Sequence, residues 1–382
     1  MMKRTKYCFL CLLLLVAAFS CKENYDPDVV SAPASYMVVE GVLTVGGPAT
    51  IRISRTSKLD SAGFRAELNA QLTVEGKDNS TRSMLHTGNG NYISPNLNLI
   101  LNNEYRLRIR TSAGKEYLSE YVKARQTPDI DSIGWKRSDD GLRIYVNAHD
   151  ASGNTRYYRW DYDETWEIRA YFYSRYIYNR NNNTIRERTP SEEVYTGWKY
   201  NFSKNIWLAS SARLQSDIIF ENSVNFINSG DEKLAVRYSI LLRQYALDKA
   251  GYDFYDLMKR NTESLGTIFD AQPSEIKGNI QCLTNPSESV IGYISASTIT
   301  EKRVFISKAE LPGWRFQETC PIENVANHPD SLMVGFGGGL LSPIDAIYHP
   351  MIPNLIIGYL SSYPNCVDVT KRGASLVRPS YW

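Results

Sequence analysis

Strict alternation of apolar and polar side chains over residues 36–127 is the feature that most constrains the fold of this chain. Every second side chain is apolar in 68–75 and again in 105–110. A period of two places apolar side chains on one face of a β-strand, a pattern typical of antiparallel sheets that cover a core with one face. Residues 36–127 are therefore predicted to form a β-domain.

The predicted strands of 36–127 number about seven within about 90 residues, which fits an immunoglobulin-like β-sandwich. Pro128 and Asp129 follow the last of these strands and precede a new apolar pattern, so we place a domain boundary there. The alternation continues beyond it, and residues 128–382 are predicted to form a larger β-rich domain. The predicted fold class is mainly β.

One notable helix is predicted near residues 248–265. Apolar side chains recur there at helical spacing: Phe254, Leu257, Met258 and Leu265. Asp248 suits the N-cap position, and Gly266 stands where a helix would end. We expect the apolar stripe of this helix to pack on the sheet.

Residues 1–20 have the pattern of a signal peptide. Three basic residues precede an apolar run from Phe9 to Phe19, which is too short to span a bilayer as a permanent helix. The run is followed by Cys21, and the pattern resembles a bacterial lipobox, in which Cys21 is acylated and becomes the first residue of the mature protein.

The residues that follow indicate where the protein is delivered. Lys22, Glu23 and Asp26 resemble the surface-export signal of Bacteroidota lipoproteins. Residues 21–35 are small, polar or proline-bearing, and are predicted to be a flexible tether. We therefore expect a protein anchored in the outer membrane through lipid on Cys21, facing the cell exterior.

Composition and motifs exclude several classes of function. The net charge of +2 argues against nucleic-acid binding, because a basic excess is needed to engage phosphates. The four histidines are scattered, and the HExxH, GxSxG and Walker A motifs are absent. The glycine-rich run 335–339 lacks the context of a dinucleotide site and is interpreted as a turn. No catalytic residue, metal or cofactor is predicted, and an enzyme of unknown type is the least favoured alternative.

One predicted strand carries four carboxylates: Asp161, Asp163, Glu164 and Glu167. Carboxylates at alternate strand positions project to one side, which invites a metal or acid/base hypothesis. No histidine or second carboxylate cluster stands near them in sequence, so we interpret them as a solvated strand face.

Four tyrosines precede an asparagine-rich turn: Tyr171, Tyr173, Tyr176 and Tyr178. If they face solvent, they would form a contact surface for a partner or a sugar. If they are buried, they belong to a strand pair. Both interpretations remain open from the sequence.

Three Asp-Ser-apolar tripeptides resemble the sites at which Bacteroidota attach O-linked glycans. Their serines are Ser61, Ser132 and Ser331. Short motifs of this kind also arise by chance, so each serine is a separate hypothesis.

Three cysteines follow Cys21: Cys282, Cys320 and Cys366. An odd number permits at most one disulfide in an oxidising envelope, and the sequence leaves all three pairings open. The long separations and the absence of CxxC argue against zinc or redox chemistry.

Several segments together resemble one family: 36–44, 129–133, 157–161, 236–241, 266–270, 277–280, 291–293 and 366–382. They are similar, in this order, to an uncharacterised family of Bacteroidota outer-membrane lipoproteins that is known as a domain of unknown function. The resemblance implies association with a TonB-dependent receptor and no established catalytic residues. The family's tail often resembles Cys-x-Asp-Cys, and Val369 stands at the second cysteine here. This departure leaves Cys320–Cys366 as the preferred disulfide.

The function expected from these observations is that of a non-enzymatic accessory of a TonB-dependent receptor in nutrient or ligand capture. The ligand is not identified by the sequence. The alternative is a structural or assembly component of the bacterial outer membrane.

Overall fold

The computed structural model describes residues 35–57, 65–263 and 276–382. The predicted signal peptide, most of the tether, Cys21, Lys22, Glu23, Asp26, Ser61 and the helix stop at Gly266 lie outside the described residues. Residues Tyr36–Trp382 form one compact unit.

Strands account for most of the regular structure. The first nine are β1 (Met37–Thr44), β2 (Ala49–Arg55), β3 (Arg65–Ala66), β4 (Gln71–Gly76), β5 (Thr81–Gly88), β6 (Asn91–Ser94), β7 (Glu104–Arg110), β8 (Glu116–Ser119) and β9 (Val122–Lys123). The next nine are β10 (Ile130–Arg137), β11 (Gly141–His149), β12 (Tyr157–Arg169), β13 (Tyr176–Asn179), β14 (Thr184–Glu187), β15 (Thr196–Phe202), β16 (Trp207–Ser210), β17 (Ile218–Asn228) and β18 (Arg237–Leu247). The last seven are β19 (Ile280–Cys282), β20 (Val290–Ile291), β21 (Ser295–Ser297), β22 (Ile299–Ser307), β23 (Glu323–Ala326), β24 (Ser342–Tyr348) and β25 (Ile356–Ser362). The prediction of a mainly β protein is confirmed.

Helices are few and mostly short. The α-helices of the described residues are α1 (Lys249–Glu263), α2 (Pro329–Leu332) and α3 (Pro364–Val367). A π-helix at Met333–Gly337 follows α2 directly.

The first core is covered by one large sheet whose main path runs β19-β8-β7-β4-β5-β6-β2-β1-β20. Its buried residues come from 37–124 and also from 280–296. The chain thus returns to the first core after passing through the second, and β20 and β21 pair in parallel with β1. The chain leaves this core after Ala124 and enters the second core at Ile130. The sequence could not reveal that residues 280–296 rejoin the first core, because pairing between strands so far apart in the chain leaves no local signal.

The second core lies between two sheets, ordered β10-β11-β17 and β15-β12-β18-β22. The central pair, β12 and β18, runs antiparallel over the whole of 157–167. Trp160 and Tyr158 are fully buried within this core, and the Trp160 Nε1–H donates to Gln244 Oε1 at 2.9 Å. The polar tip of this tryptophan is thereby satisfied inside an apolar environment.

A third, smaller cluster joins the hairpin β13–β14 to the sheet β23-β25-β24. Its buried members are Tyr176, Val325, Leu332, Phe336 and Tyr359. Beside it, Cys320 and Cys366 form a disulfide with an S–S distance of 2.10 Å, and Cys282 is a buried free thiol in the first core.

Helix α1 begins directly after Asp248, whose Oδ1 accepts a hydrogen bond from the Gly251 backbone N–H at 2.8 Å. This is the N-cap arrangement that the sequence predicts. Phe254 is buried against Tyr293, with ring centres 5.7 Å apart. Since Tyr293 lies between β20 and β21, α1 is packed beside the strands that return to the first core.

Candidate binding cleft

Two adjoining cavities, of about 610 and 650 Å³, lie where α1, β1, β12 and β18 meet. Volumes of this size are within the usual range of small-molecule sites. The cavities share lining residues and form one cleft: Glu40, Arg159, Asp161, Arg243, Tyr245, Tyr255 and Met258. Residues from both sides of the predicted boundary at Pro128 therefore line the cleft.

The alternation of β12 brings the polar wall of this cleft together. Tyr158, Trp160 and Tyr162 face the second core, so Arg159 and Asp161 project from the opposite face of the sheet. On β18, Tyr245 and Arg243 lie directly across from them in the antiparallel register. Cross-strand neighbours on one face are within reach of each other, which sets the contacts described next.

All three side-chain nitrogens of Arg243 donate hydrogen bonds to two carboxylates. Its Nε donates to Asp161 Oδ1 at 2.9 Å, and Nη1 and Nη2 donate to the two oxygens of Asp163 at 2.7 and 2.8 Å. Burial disfavours the charged guanidinium, but the two carboxylates outweigh it and hold the pKa of Arg243 above the usual arginine value. Asp161 and Asp163 thus serve an ion-pair network on the cleft wall.

Arg159 is held in a different way. Its guanidinium lies against the rings of Tyr245 and Tyr255, at 4.2 and 5.0 Å from their centres. Its Nε is buried and has no hydrogen-bond partner among the described residues, and its Nη2 is 3.7 Å from Asp161, beyond hydrogen-bond distance. The side chain is 18% exposed, so this cation is largely withdrawn from water.

Tyr245 is a neutral partner for this cation. Burial, followed by the charge of Asp161, raises the pKa of the Tyr245 phenol well above its usual value. The ring therefore meets Arg159 as a π-face, which is the geometry of a cation–π contact.

The interpretation of the carboxylates of β12 as one solvated face is wrong for two of them. Glu164 is 1% exposed and accepts hydrogen bonds from Lys233 Nζ at 2.5 Å and from Tyr238 Oη at 2.8 Å. Glu164 stands at a core-facing position, in phase with Tyr162. Glu167 is covered by the C-terminal Trp382, whose Nε1–H donates to it at 3.3 Å. Among the described residues, no group of three or more His, Cys, Asp or Glu side chains could hold a metal ion.

The four tyrosines predicted as a contact surface do not share one face. Tyr171 and Tyr173 are 55% and 53% exposed, whereas Tyr176 is 5% exposed and packs edge-on against Tyr359. Tyr178 packs on Phe336, with ring centres 5.7 Å apart. Tyr176 and Tyr178 lie on the inner face of the β13–β14 hairpin. For these two tyrosines the structure therefore agrees with the interpretation as part of a strand pair.

Two of the three predicted glycosylation serines lie in the described part of the chain. Ser132 is exposed on β10 and accepts a hydrogen bond from Asn147 Nδ2 at 2.8 Å. Ser331 is half-buried in α2. Neither lies on the walls of the cleft.

Sequence reasoning missed Arg159, Tyr245 and Tyr255 as a group. The alternation of β12 was a usable signal, because it places Arg159 on the face opposite the apolar side chains. The partners come from β18 and α1, and only the tertiary fold brings these elements together.

The fold and the cleft define a β-rich protein with a polar, aromatic cavity between its two larger cores. The chain belongs to the family described as "Domain of unknown function (DUF4249)", whose model matches residues 22–303. The match covers the first core, most of the second and all the residues that line the cleft. The prediction of an uncharacterised domain family is thereby confirmed.

Comparison with curated proteins gave no match. A solved structure described as "Crystal structure of calcium binding domain CBD12 of CALX1.1" is similar at 10% identity, covering 69% of this chain and 98% of that chain, with a TM-score of 0.16. A likeness this slight carries no argument about function. No helix in the described residues is long and apolar enough to cross a membrane.

Proposed function

We propose that this protein is a surface lipoprotein of the Bacteroidota outer membrane that captures a ligand for a TonB-dependent receptor, without catalysing a reaction. The observation that carries the capture role is the cleft formed by α1, β1, β12 and β18. A site for a small molecule is typically a cavity of a few hundred Å³ with aromatic walls and a few polar groups, and this cleft has those properties.

The lipoprotein part of the proposal is supported by the sequence around Cys21. An acyl anchor at Cys21 and a tether to residue 35 would hold the folded unit a short distance from the membrane. Capture next to a receptor gains from this arrangement, because tethering raises the effective concentration of the bound ligand at the receptor.

Fractionation of cells that express the full chain tests the anchor. We expect the wild-type protein in the outer membrane, with the mass of a lipidated Cys21, and the Cys21→Ser variant in the soluble fraction. Lys22→Ala/Glu23→Ala is the matched variant for export, because it keeps the lipid and alters only the predicted surface signal. Retention of Cys21→Ser in the membrane would contradict lipid anchoring.

Affinity purification of the lipidated protein from membranes tests the partner. A TonB-dependent receptor as the main co-purifying protein would support the proposal. An outer-membrane assembly machine in its place would favour a structural or assembly role.

A further inference from the structure

We infer that the cleft binds a ligand through a carboxylate group, and that Arg159 is the residue that receives it. The inference rests on the proposed capture function and specifies the chemistry of its ligand. It begins with the unusual state of Arg159, a largely buried cation whose Nε has no hydrogen-bond partner in the part of the chain that the structure describes. Buried polar groups in proteins are almost always hydrogen-bonded, so a buried donor without a partner calls for an explanation.

The two rings beside Arg159 limit how a ligand can approach it. The Cζ atom at the centre of the guanidinium plane lies over the rings of Tyr245 and Tyr255, at 4.2 and 5.0 Å from their centres. Arginine donates its hydrogen bonds within that plane, in a fork that matches the two oxygens of a carboxylate. Contacts with two rings therefore restrict the movement of the guanidinium. A preorganised fork of this kind loses little entropy when a ligand binds.

The charges around Arg159 favour one anionic ligand. Four basic and three acidic side chains line the two cavities: Arg52, Arg159, Lys204, Arg243, Glu40, Asp161 and Asp163. Arg243 is occupied by its two aspartates, and Glu40 lies opposite Arg52 in the register of β1 and β2. A single carboxylate would balance the charges of these seven described side chains without displacing the two aspartates from Arg243.

The apolar side chains near Arg159 suit the rest of an organic ligand. Phe254, Met258 and Tyr293 line the first cavity together with Arg159. They offer apolar surface beside a charged anchor, and this combination distinguishes an organic acid from an inorganic anion. Such a carboxylate can come from the C-terminus of a peptide or from a uronic acid.

Calorimetric titration of the full-length protein in detergent tests the inference with paired probes. Trialanine is compared with trialanine amide, and methyl glucuronide with methyl glucoside, so that the two members of each pair differ only where the carboxylate stands. We expect at least one acid to bind about tenfold or more tightly than its neutral counterpart, since hydrogen bonds to charged groups contribute that much. The pair that shows the difference identifies the source of the carboxylate. Equal binding within both pairs, or no binding of any probe at 10 mM, would overturn the inference.

Substitutions of Arg159 then test whether this residue causes the difference in affinity between the acid and its neutral counterpart. Arg159→Gln should weaken binding of the acid about tenfold or more and leave binding of its neutral counterpart unchanged. Arg159→Lys should restore only part of the affinity, because lysine lacks the planar fork. Arg237→Gln is the matched control, since Arg237 is also held between two rings, Phe305 and Trp382, but lies outside the cleft. An equal loss in Arg237→Gln and Arg159→Gln would contradict the assignment.

The comparison of acid and neutral probes on the wild-type protein needs no variant, so it decides the matter even if Arg159→Gln does not fold. The outcome is also separable from the capture proposal. A protein that co-purifies with a TonB-dependent receptor but binds no carboxylate probe would refute the ligand class alone. One that binds a carboxylate but associates with no receptor would refute the proposed partner alone.

Discussion

Arg159 on β12 lies directly opposite Tyr245 on β18, and its guanidinium carbon is 4.2 Å from the centre of the tyrosine ring. The pair belongs to the longest antiparallel contact of the second core, yet it faces away from that core and into the cleft. A cross-strand pair thus forms the central element of the candidate site.

The contact between Arg159 and Tyr245 should be measurable as a coupling free energy of unfolding. In a double-mutant cycle of Arg159→Gln and Tyr245→Leu, we expect a coupling of about 1 kcal/mol, the value typical of a partly desolvated cation–π contact. Urea unfolding of the four proteins measures it. A cycle of Arg159→Gln with Phe305→Leu is the control and should be additive within about 0.5 kcal/mol. Additivity in both cycles would show that the stacking is not energetically significant.

Glu164 should be essential for the stability of the second core. Replacing it with Ala leaves Lys233 and Tyr238 without their shared acceptor in a buried setting, which we expect to cost about 3 kcal/mol in the free energy of unfolding. Chemical denaturation measures the change. Glu221→Ala is the control, because the Lys136 side chain that pairs with Glu221 is 62% exposed and the variant should unfold almost as the wild type does. A similar loss in both variants would contradict this explanation.

His149 should titrate with a pKa above the usual value of histidine. The carboxylate of Asp131 lies 2.8 Å from its Nδ1, and this contact raises the pKa of His149. Because the pKa is raised in the folded state, the stabilisation is fully present below the unfolded value of about 6.5 and is lost as the pH rises through the folded pKa. An NMR titration of the imidazole protons measures the value. Asp131→Asn should bring it back toward about 6.5, and an unchanged value would rule out this cause.

Gly292 should be required for the return of the chain to the first core. Its φ is +151°, and a Cβ at this position would lie 2.3 Å from the carbonyl oxygen of Val39 on β1. Gly292→Ala should therefore push β20 away from β1 and cost more than about 2 kcal/mol in the free energy of unfolding. Gly46→Ala is the control, because its φ of +75° is also unfavourable for alanine but its surroundings are open. Thermal unfolding measures the loss of stability in each variant. An equal loss in Gly292→Ala and Gly46→Ala would show that the unfavourable φ, and not the contact with Val39, is responsible.

Much of the fold follows from local patterns. The alternation in 68–75 and 105–110 predicts strands that the structure forms as β4 and β7 over most of their length. The predicted helix near 248–265 appears as α1, which begins after Asp248 as expected. These predictions succeed because the period of a strand or a helix and the chemistry of an N-cap are properties of a few adjacent residues.

Predictions from the sequence fail where segments far apart in the chain pack over each other. Glu167 lies on the face of β12 that the alternation assigns to solvent, yet the C-terminal Trp382 buries it. The sequence leaves Tyr176 and Tyr178 open between exposed and buried positions, and in the structure Tyr176 is buried against Tyr359 and Tyr178 is half-buried against Phe336. No pattern within either segment reports these contacts.

The sequence by itself determined the mainly β class, strands such as β4 and β7, and the principal helix. Only the tertiary structure decided that Tyr245 and Tyr255 enclose that arginine and that 280–297 completes the first core. The physical reason is that strand order and register depend on pairings between segments far apart in the chain, whose energies are set by mutual burial and complementary charge. The cleft is a product of those pairings, and its chemistry becomes visible only once they are made.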